Sequence, residues 1–202
     1  MLARAHDALH TWVVMDESDD AKTLAPGFLI AVPQLTDPNF RQSVVLLLQQ
    51  SDDGALGLVI NRESPILLRD LCKDHEIQYA GDPGKKVRVG GPVQPEQGLV
   101  LYDGEIEDPE GRAVLDGLQV SASTRTLQHL CQDATIRFHC FSGYAGWAPG
   151  QLEQEINEGS WILAPVDPTL VLDTPPDDLW MATLAKLGID PSLIVPGGSD
   201  VS

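Results

Sequence analysis

Positive charge is what this sequence has least of. Its 202 residues carry 13 Lys and Arg against 30 Asp and Glu, a formal net charge of −17. Residues 1–23 contribute only −3 of that, from Arg4 and Lys22 against Asp7, Asp16, Glu17, Asp19 and Asp20, so the body carries −14. A field of this sign repels phosphate backbones and anionic lipid, which disfavours direct binding to nucleic acid or a membrane surface. The one compact basic group, Lys85, Lys86 and Arg88, reads as a solvated strand edge. Cysteine is scarce too. Cys72, Cys131 and Cys140 are odd in number and show no CxxC spacing. That argues against a disulfide framework and for free thiols in a reducing compartment, so a cytoplasmic location is expected. No stretch nears 18 consecutive apolar residues, which excludes a helical membrane span. The first residues lack the apolar core of a secretory signal, interrupted as they are by Asp7.

Chemical signatures are also missing. There is no GK[ST], no G-x-G-x-x-G and no G-x-S-x-G, which removes the P-loop, the dinucleotide fingerprint and the nucleophile elbow. His139 and Cys140 are neighbours on an expected strand, so they face opposite sides and form no nucleophile–base pair. His129 and Cys131 diverge on an expected helix. His6 and His10 share a spacing suited to two ligands but have no clear third. No cofactor and no metal site is expected.

What remains is ordinary globular material, with 43% hydrophobic and 21% charged residues. A chain of this length buries roughly 70% of its unfolded surface and folds without disulfide or metal. Residues 1–23 read as an acidic appendage in which Leu2, Leu9, Trp12 and Val13 line a short apolar face. Residues 24–202 read as a single domain. Apolar runs predict strands over Phe28–Val32, Val44–Leu48 and Ala55–Ile60, the last two joined by a hairpin at Ser51–Gly54. Pro65 is placed in the first turn of a helix reaching about Cys72. Strands follow over Val87–Val89 and Gly98–Tyr102, then a tight hairpin around Asp116-Gly117. Ser123 is the expected N-cap of a helix through about Gln132. Thr135–Phe141 alternates as a strand. A further helix reaches about Glu158, a strand spans Trp161–Leu163, and a last helix begins at Asp177 or Asp178 and ends at Gly188. About eight strands and four helices, with hairpins first, predict an α+β fold with mainly antiparallel pairing.

Gly143–Glu153 stands out, reading Gly-Tyr-Ala-Gly-Trp-Ala-Pro-Gly-Gln-Leu-Glu. It is expected to be a glycine-rich turn between strand and helix, with Pro149 opening the helix and Tyr144 and Trp147 walling a pocket. Gly143, Tyr144, Gly146, Trp147, Gly150, Gln151 and Glu153 are therefore candidate binding residues. Asp37, Ser43 and Asn61 in polar loops, and Gly90 and Gly91 in a second tight turn, complete the candidate surface.

Several of these blocks, taken in order, are similar to the bacterial YqgE/AlgH family: Phe28-Leu-Ile-Ala-Val-Pro33, Asp37-Pro-x-Phe40, Ser43-Val44, Gly54-Ala-Leu-Gly57, Val59-Ile-Asn61, Gly90-Gly-Pro-Val93, Gly143-Tyr-Ala-Gly-Trp147 and Gly150-Gln-Leu-Glu153. The likeness covers about residues 25–197. It implies a branched, mainly antiparallel sheet rolled into a pseudo-barrel, a bacterial cytoplasmic protein, and a link to transcriptional regulation with no established activity or ligand. Where that family commonly has His, this chain has Gln50 and Tyr102. Where it has Pro, this chain has Glu63. Loss of both histidines argues against a metal or acid–base site shared through them, so a chemistry common to the family would have to use other residues. The sequence supports a non-catalytic binding or regulatory module whose partner is an unidentified protein or small molecule. The alternatives are a hydrolase using Glu153 and Tyr144 in one cleft, and a direct DNA binder that the charge disfavours.

Overall fold

Four consecutive residues of one strand, Val44–Leu47, have no solvent exposure on either face, and the sheet is built around that strand. The computed structural model describes residues 23–104 and 106–193; the expected apolar face of residues 1–22, and His6 and His10, lie outside them. Strand β1 (Gly27–Ala31) pairs antiparallel with β2 (Val44–Ser51), and β2 pairs with β3 (Gly54–Val59) through the expected hairpin. β10 (Trp161–Ala164) covers the other edge of β1. β4 (Glu63–Leu67) and β5 (Lys86–Val89) form a second antiparallel pair. β6 (Val93–Asp103), β7 (Arg112–Leu115) and β8 (Leu118–Ser121) follow, with β6 against β8 and β8 against β7.

β9 (Phe138–Trp147) is the branch point. Its C-terminal end, Ala145–Trp147, pairs with β3. Its N-terminal half pairs antiparallel with β6 on one side and parallel with β5 on the other. A single strand thus belongs to two half-sheets, and the whole curls into a half-barrel of ten strands. All but one of the pairings are antiparallel, as expected for the α+β class.

Five helices accompany the sheet among the described residues: α1 (Leu68–Asp74), α2 (Thr124–Gln132), α3 (Gln151–Asn157), α4 (Pro168–Asp173) and α5 (Pro176–Lys186). None is long and apolar enough to cross a membrane. α5 docks through a buried bond from Trp180 Nε1 to the carbonyl of Ala31, 2.8 Å. Three apolar clusters fill the spaces around the sheet. One lies between β1–β3, β6 and α4–α5, a second between β5, β6, β9 and α1–α2, and a third between β1–β3 and α3.

The structure corrects the expected elements in several places. The strand expected from Thr135 starts at Phe138, and residues 135–137 form the turn before it. Pro65 lies in β4 and not in a helix; β4 pairs only with β5, and an edge strand tolerates a residue without an N–H. The helix α4 was not expected. Its signal is local: Asp167 accepts bonds from Thr169 N and Leu170 N, and Pro168 follows at the first helical position. The last helix opens at Pro176, so Asp177 and Asp178 sit in its first turn rather than capping it. Ser123 occupies the N-cap of α2 but makes no side-chain cap bond.

A signature segment that holds up a loop

The segment from Gly143 to Glu153 is not one long turn. Gly143–Trp147 are the last five residues of β9, and only Ala148–Gly150 connect it to α3, which starts at Gln151. Gly150 supplies the left-handed residue there, with φ of 75°. Pro149 precedes the helix instead of opening it.

Gly143 bends β9 where its partners change, with φ of 67°. A Cβ on it would lie 2.6 Å from the carbonyl oxygen of Gly91. The contact is mutual, since a Cβ on Gly90 would lie 2.2 Å from the oxygen of Gly143 and one on Gly91 2.2 Å from the carbonyl carbon of Tyr144. Gly90 also donates to Ser142 O and accepts from Val59 N, each at 2.8 Å. The two glycine motifs, more than fifty residues apart in sequence, are therefore one backbone clamp in which main chain packs on main chain. Gly146 faces solvent and Tyr144 is half-buried against the first core cluster.

Trp147 is 5% exposed and does not wall an open pocket. Its indole donates to Glu155 Oε2 at 2.9 Å, and the indole of Trp161 donates to the same oxygen at 2.8 Å. Gln151 Nε2 donates to the other oxygen, Oε1, at 2.9 Å, while Gln151 Oε1 accepts from Ala148 N. Glu155 is the hub of this network, and sequence reading missed it; the spacing of one turn from Gln151 on α3 was the available signal. Glu153 turns elsewhere and accepts from Gln50 Nε2 at 2.5 Å, and Gln50 Oε1 accepts from Leu24 N.

Onto Trp147 and Trp161 packs a third ring, Phe40, stacked on the first at 6.0 Å between centroids and edge-on to the second at 5.6 Å. Phe40 belongs to the polar loop between β1 and β2. Arg62 also holds this loop, donating to Pro38 O (2.7 Å) and Arg41 O (3.0 Å). Asn61 accepts from Val44 N and donates to Gln42 O, each at 2.9 Å. Asp37 accepts from Asn39 N, and the buried Ser43 hydroxyl donates to Phe40 O. Gln42 is fixed with φ of 53°. Asp37, Pro38, Asn39, Arg41 and Gln42 stay exposed. Burial and the neighbouring Arg41 push the Arg62 guanidinium below its usual range, with Asp37 opposing. The structure thus brings Asp37, Ser43, Asn61, Trp147 and Gln151 into one assembly, and separates from it the clamp of Gly90, Gly91 and Gly143.

Burial sets the protonation of the three thiols and of His139. Burial pushes the Cys72, Cys131 and Cys140 thiols up, Cys140 to about 12. Burial, with Arg88 and Lys85 nearby, pushes His139 down to about 3. Its Nε2 lies 3.1 Å from Leu172 O, and a carbonyl only accepts, so this nitrogen carries the proton of a neutral ring. Gln50 and Tyr102 share no partner, for Tyr102 is fully buried and donates to Gln119. A cavity of about 490 Å³ lies between the 106–110 loop and α2, lined in part by Asp108, Ser123 and Arg125; none of the predicted site residues lines it. Among the described residues no cluster suits a metal ion.

Comparison with known proteins follows the same contour. The AlgH-like family profile, DUF179, matches residues 28–192. A UPF0301 protein of Myxococcus xanthus (strain DK1622) is 44% identical over 177 residues, 87% of this chain and 97% of its own length. One from Anaeromyxobacter dehalogenans (strain 2CP-C) is 39% identical over 184 residues, 87% and 93%. The solution structure of the AlgH protein from Pseudomonas aeruginosa superposes with a TM-score of 0.72 at 32% identity, covering 93% of this chain and all of that one. A crystal structure from Corynebacterium diphtheriae, TM-score 0.64 at 21% identity, shares the fold over 92% of this chain and 94% of its own.

Proposed function

The chain belongs to the AlgH-like family, and we propose that it is a non-catalytic cytoplasmic binding module which presents the loop between β1 and β2 to a protein or small-molecule partner, with any effect on transcription indirect. One observation carries this reading. The exposed loop is held from beneath by the Phe40–Trp147–Trp161 cluster and from the side by Asn61 and Arg62. Loops fixed on a rigid scaffold are where binding residues concentrate, and a pre-ordered loop loses less entropy on association. Trp147 and Gln151 of the family signature then act as the loop's foundation, and the partner meets Asp37, Pro38, Asn39 and Arg41. The raised thiols and the neutral, hydrogen-bonded His139 favour binding over nucleophilic or proton-transfer chemistry.

The test is quantitative affinity capture from the native cytosol, comparing the full chain with Asn39→Ala, Arg41→Glu and, as a control on another surface, Gln154→Ala. Each variant keeps the wild-type circular dichroism. At least one partner, protein or metabolite, is recovered about tenfold less with the loop variants and unchanged with the control, a loss of about 1.4 kcal/mol in affinity. Equal recovery across all four proteins refutes the reading.

A further inference from the structure

Two of the three cysteines, 59 residues apart in sequence, meet inside the second core cluster. Cys72 Sγ on α1 lies 3.3 Å from Cys131 Sγ on α2. Both are buried, and Cys140 of β9 belongs to the same cluster. We propose that Cys72 and Cys131 are a modification site: a reversibly oxidisable dithiol that a two-electron oxidant of the peroxide class closes into a disulfide between α1 and α2.

Three features of the surroundings support this. The sulfur atoms already face each other across the helix pair, so bond formation needs a closure of little more than 1 Å toward the S–S length of about 2.05 Å. One segment forms part of the cover over them. The segment from His75 to Gly84 straps across both cysteines, Ile77 N donating to Cys72 O and Ala80 N to Cys131 O. Most of the strap is exposed, and Glu76 is held at φ of 58°. Lifting it frees a path to the thiols without opening the sheet. A cation is at hand as well. Lys85, at the end of the strap, donates to Phe138 O and lies over the Phe138 ring, and its charge favours the thiolate of Cys131. Burial keeps the resting thiols protonated, so the pair is inert until the strap opens.

The reaction balances with hydrogen peroxide. One thiolate sulfur attacks a peroxide oxygen, the O–O bond breaks, and hydroxide leaves and takes the thiol's proton as water. The second thiol's sulfur then attacks the sulfenic sulfur, the S–O bond breaks, and a second water leaves. Two thiols lose two electrons and two protons in all, and peroxide is reduced to two waters.

The experiment uses the full reduced chain in native buffer, treated with hydrogen peroxide and, separately, with diamide, which accepts the same two electrons and two protons. Remaining thiols are then alkylated in denaturant and weighed. The untreated chain carries three alkyl groups. The oxidised chain carries one, on Cys140, with a Cys72–Cys131 linkage in the digest that dithiothreitol removes, and it melts several degrees higher because the link restrains a long loop of the unfolded chain. Cys140→Ala behaves as wild type, and Cys131→Ala forms no intramolecular link. Three free thiols after treatment that fully oxidises dithiothreitol, a linkage through Cys140, or linkage only between two chains overturns the proposal.

Discussion

At the scale of single residues, Glu155 and His139 carry consequences that their neighbours do not. Glu155 accepts from two indoles and an amide, and Trp147 and Trp161 are each 5% exposed. Glu155→Ala strands two buried N–H donors, and each such donor costs about 1–3 kcal/mol. Urea denaturation is expected to show a loss of about 2–4 kcal/mol for Glu155→Ala and a smaller loss for Glu155→Gln, whose amide oxygen still accepts. An equal loss for both would mean that packing, not hydrogen bonding, is what Glu155 supplies. His139 sets a pH dependence. Its folded pKa, about 3, lies below the unfolded value of about 6.5. Between those values the unfolded chain binds the extra proton, so the contribution is complete above pH 6.5 and falls as the pH drops toward 3, by at most about 1.4 kcal/mol per unit. His139→Asn is expected to flatten the stability profile between about pH 6.5 and 4.5, above the range where the carboxylates titrate. A profile that keeps its slope in the variant assigns acid sensitivity to other groups. The sequence made Trp147 and Gln151 legible as special residues. The one-turn spacing from Gln151 to Glu155 hints at one of their bonds, but the convergence of two indoles on Glu155 follows from how α3 packs over β10 and is hidden in the sequence.

At the scale of elements, the two glycine motifs behave as one part. Along the chain Gly90-Gly91 reads as a second tight turn and Gly143–Glu153 as a separate strand-to-helix turn, since nothing local relates residues so far apart. The strands themselves were legible from their apolar runs, the Ser51–Gly54 and Asp116-Gly117 hairpins from turn chemistry, and the ends of β2 and β3 within a few residues. Illegible were the length of β9, the parallel β5–β9 pairing and the strand character of Pro65. Each depends on which strand lies alongside, information that periodicity does not contain. The clamp predicts a graded alanine series. Gly98→Ala has open space and ordinary backbone, so it is neutral within about 0.5 kcal/mol. Gly150→Ala also has open space but sits at φ of 75° and is expected to lose about 1 kcal/mol. Gly143→Ala combines φ of 67° with a backbone collision, and should lose about 2–4 kcal/mol. Urea midpoints measured together check the order, and Gly143→Ala no worse than Gly150→Ala would mean that β9 moves away from the 90–91 turn at little cost.

For the molecule as a whole, charge decides more than any one contact. The chain carries −17, and its salt bridges among the described residues, such as Lys86–Glu63 and Arg137–Asp103, lie at the surface where each is worth little. The order of motif blocks in the sequence identified the family, but a family resemblance says nothing about which molecules this surface attracts; the field does. Mutual repulsion among carboxylates opposes the compact state, so the melting temperature is expected to rise as sodium chloride goes from about 50 mM to about 500 mM, where the Debye length shortens from roughly 14 Å to roughly 4 Å. The same field bears on regulation. A protein that contacts DNA directly gains affinity as salt falls, because cations displaced from the phosphates are released, with a slope of log K against log salt near −0.9 per phosphate neutralised. Here Arg41 and Arg62 are the cations nearest the presented loop; Arg62 is committed to two carbonyls of that loop, and acids dominate the rest of the chain. Lowering salt therefore strengthens repulsion rather than attraction. Fluorescence anisotropy of labelled genomic duplexes is expected to show no association at about 50 mM salt. Saturable binding with a negative salt slope would instead place the protein on DNA itself, and would move the search for its partner from the cytosolic proteins and metabolites to the promoter.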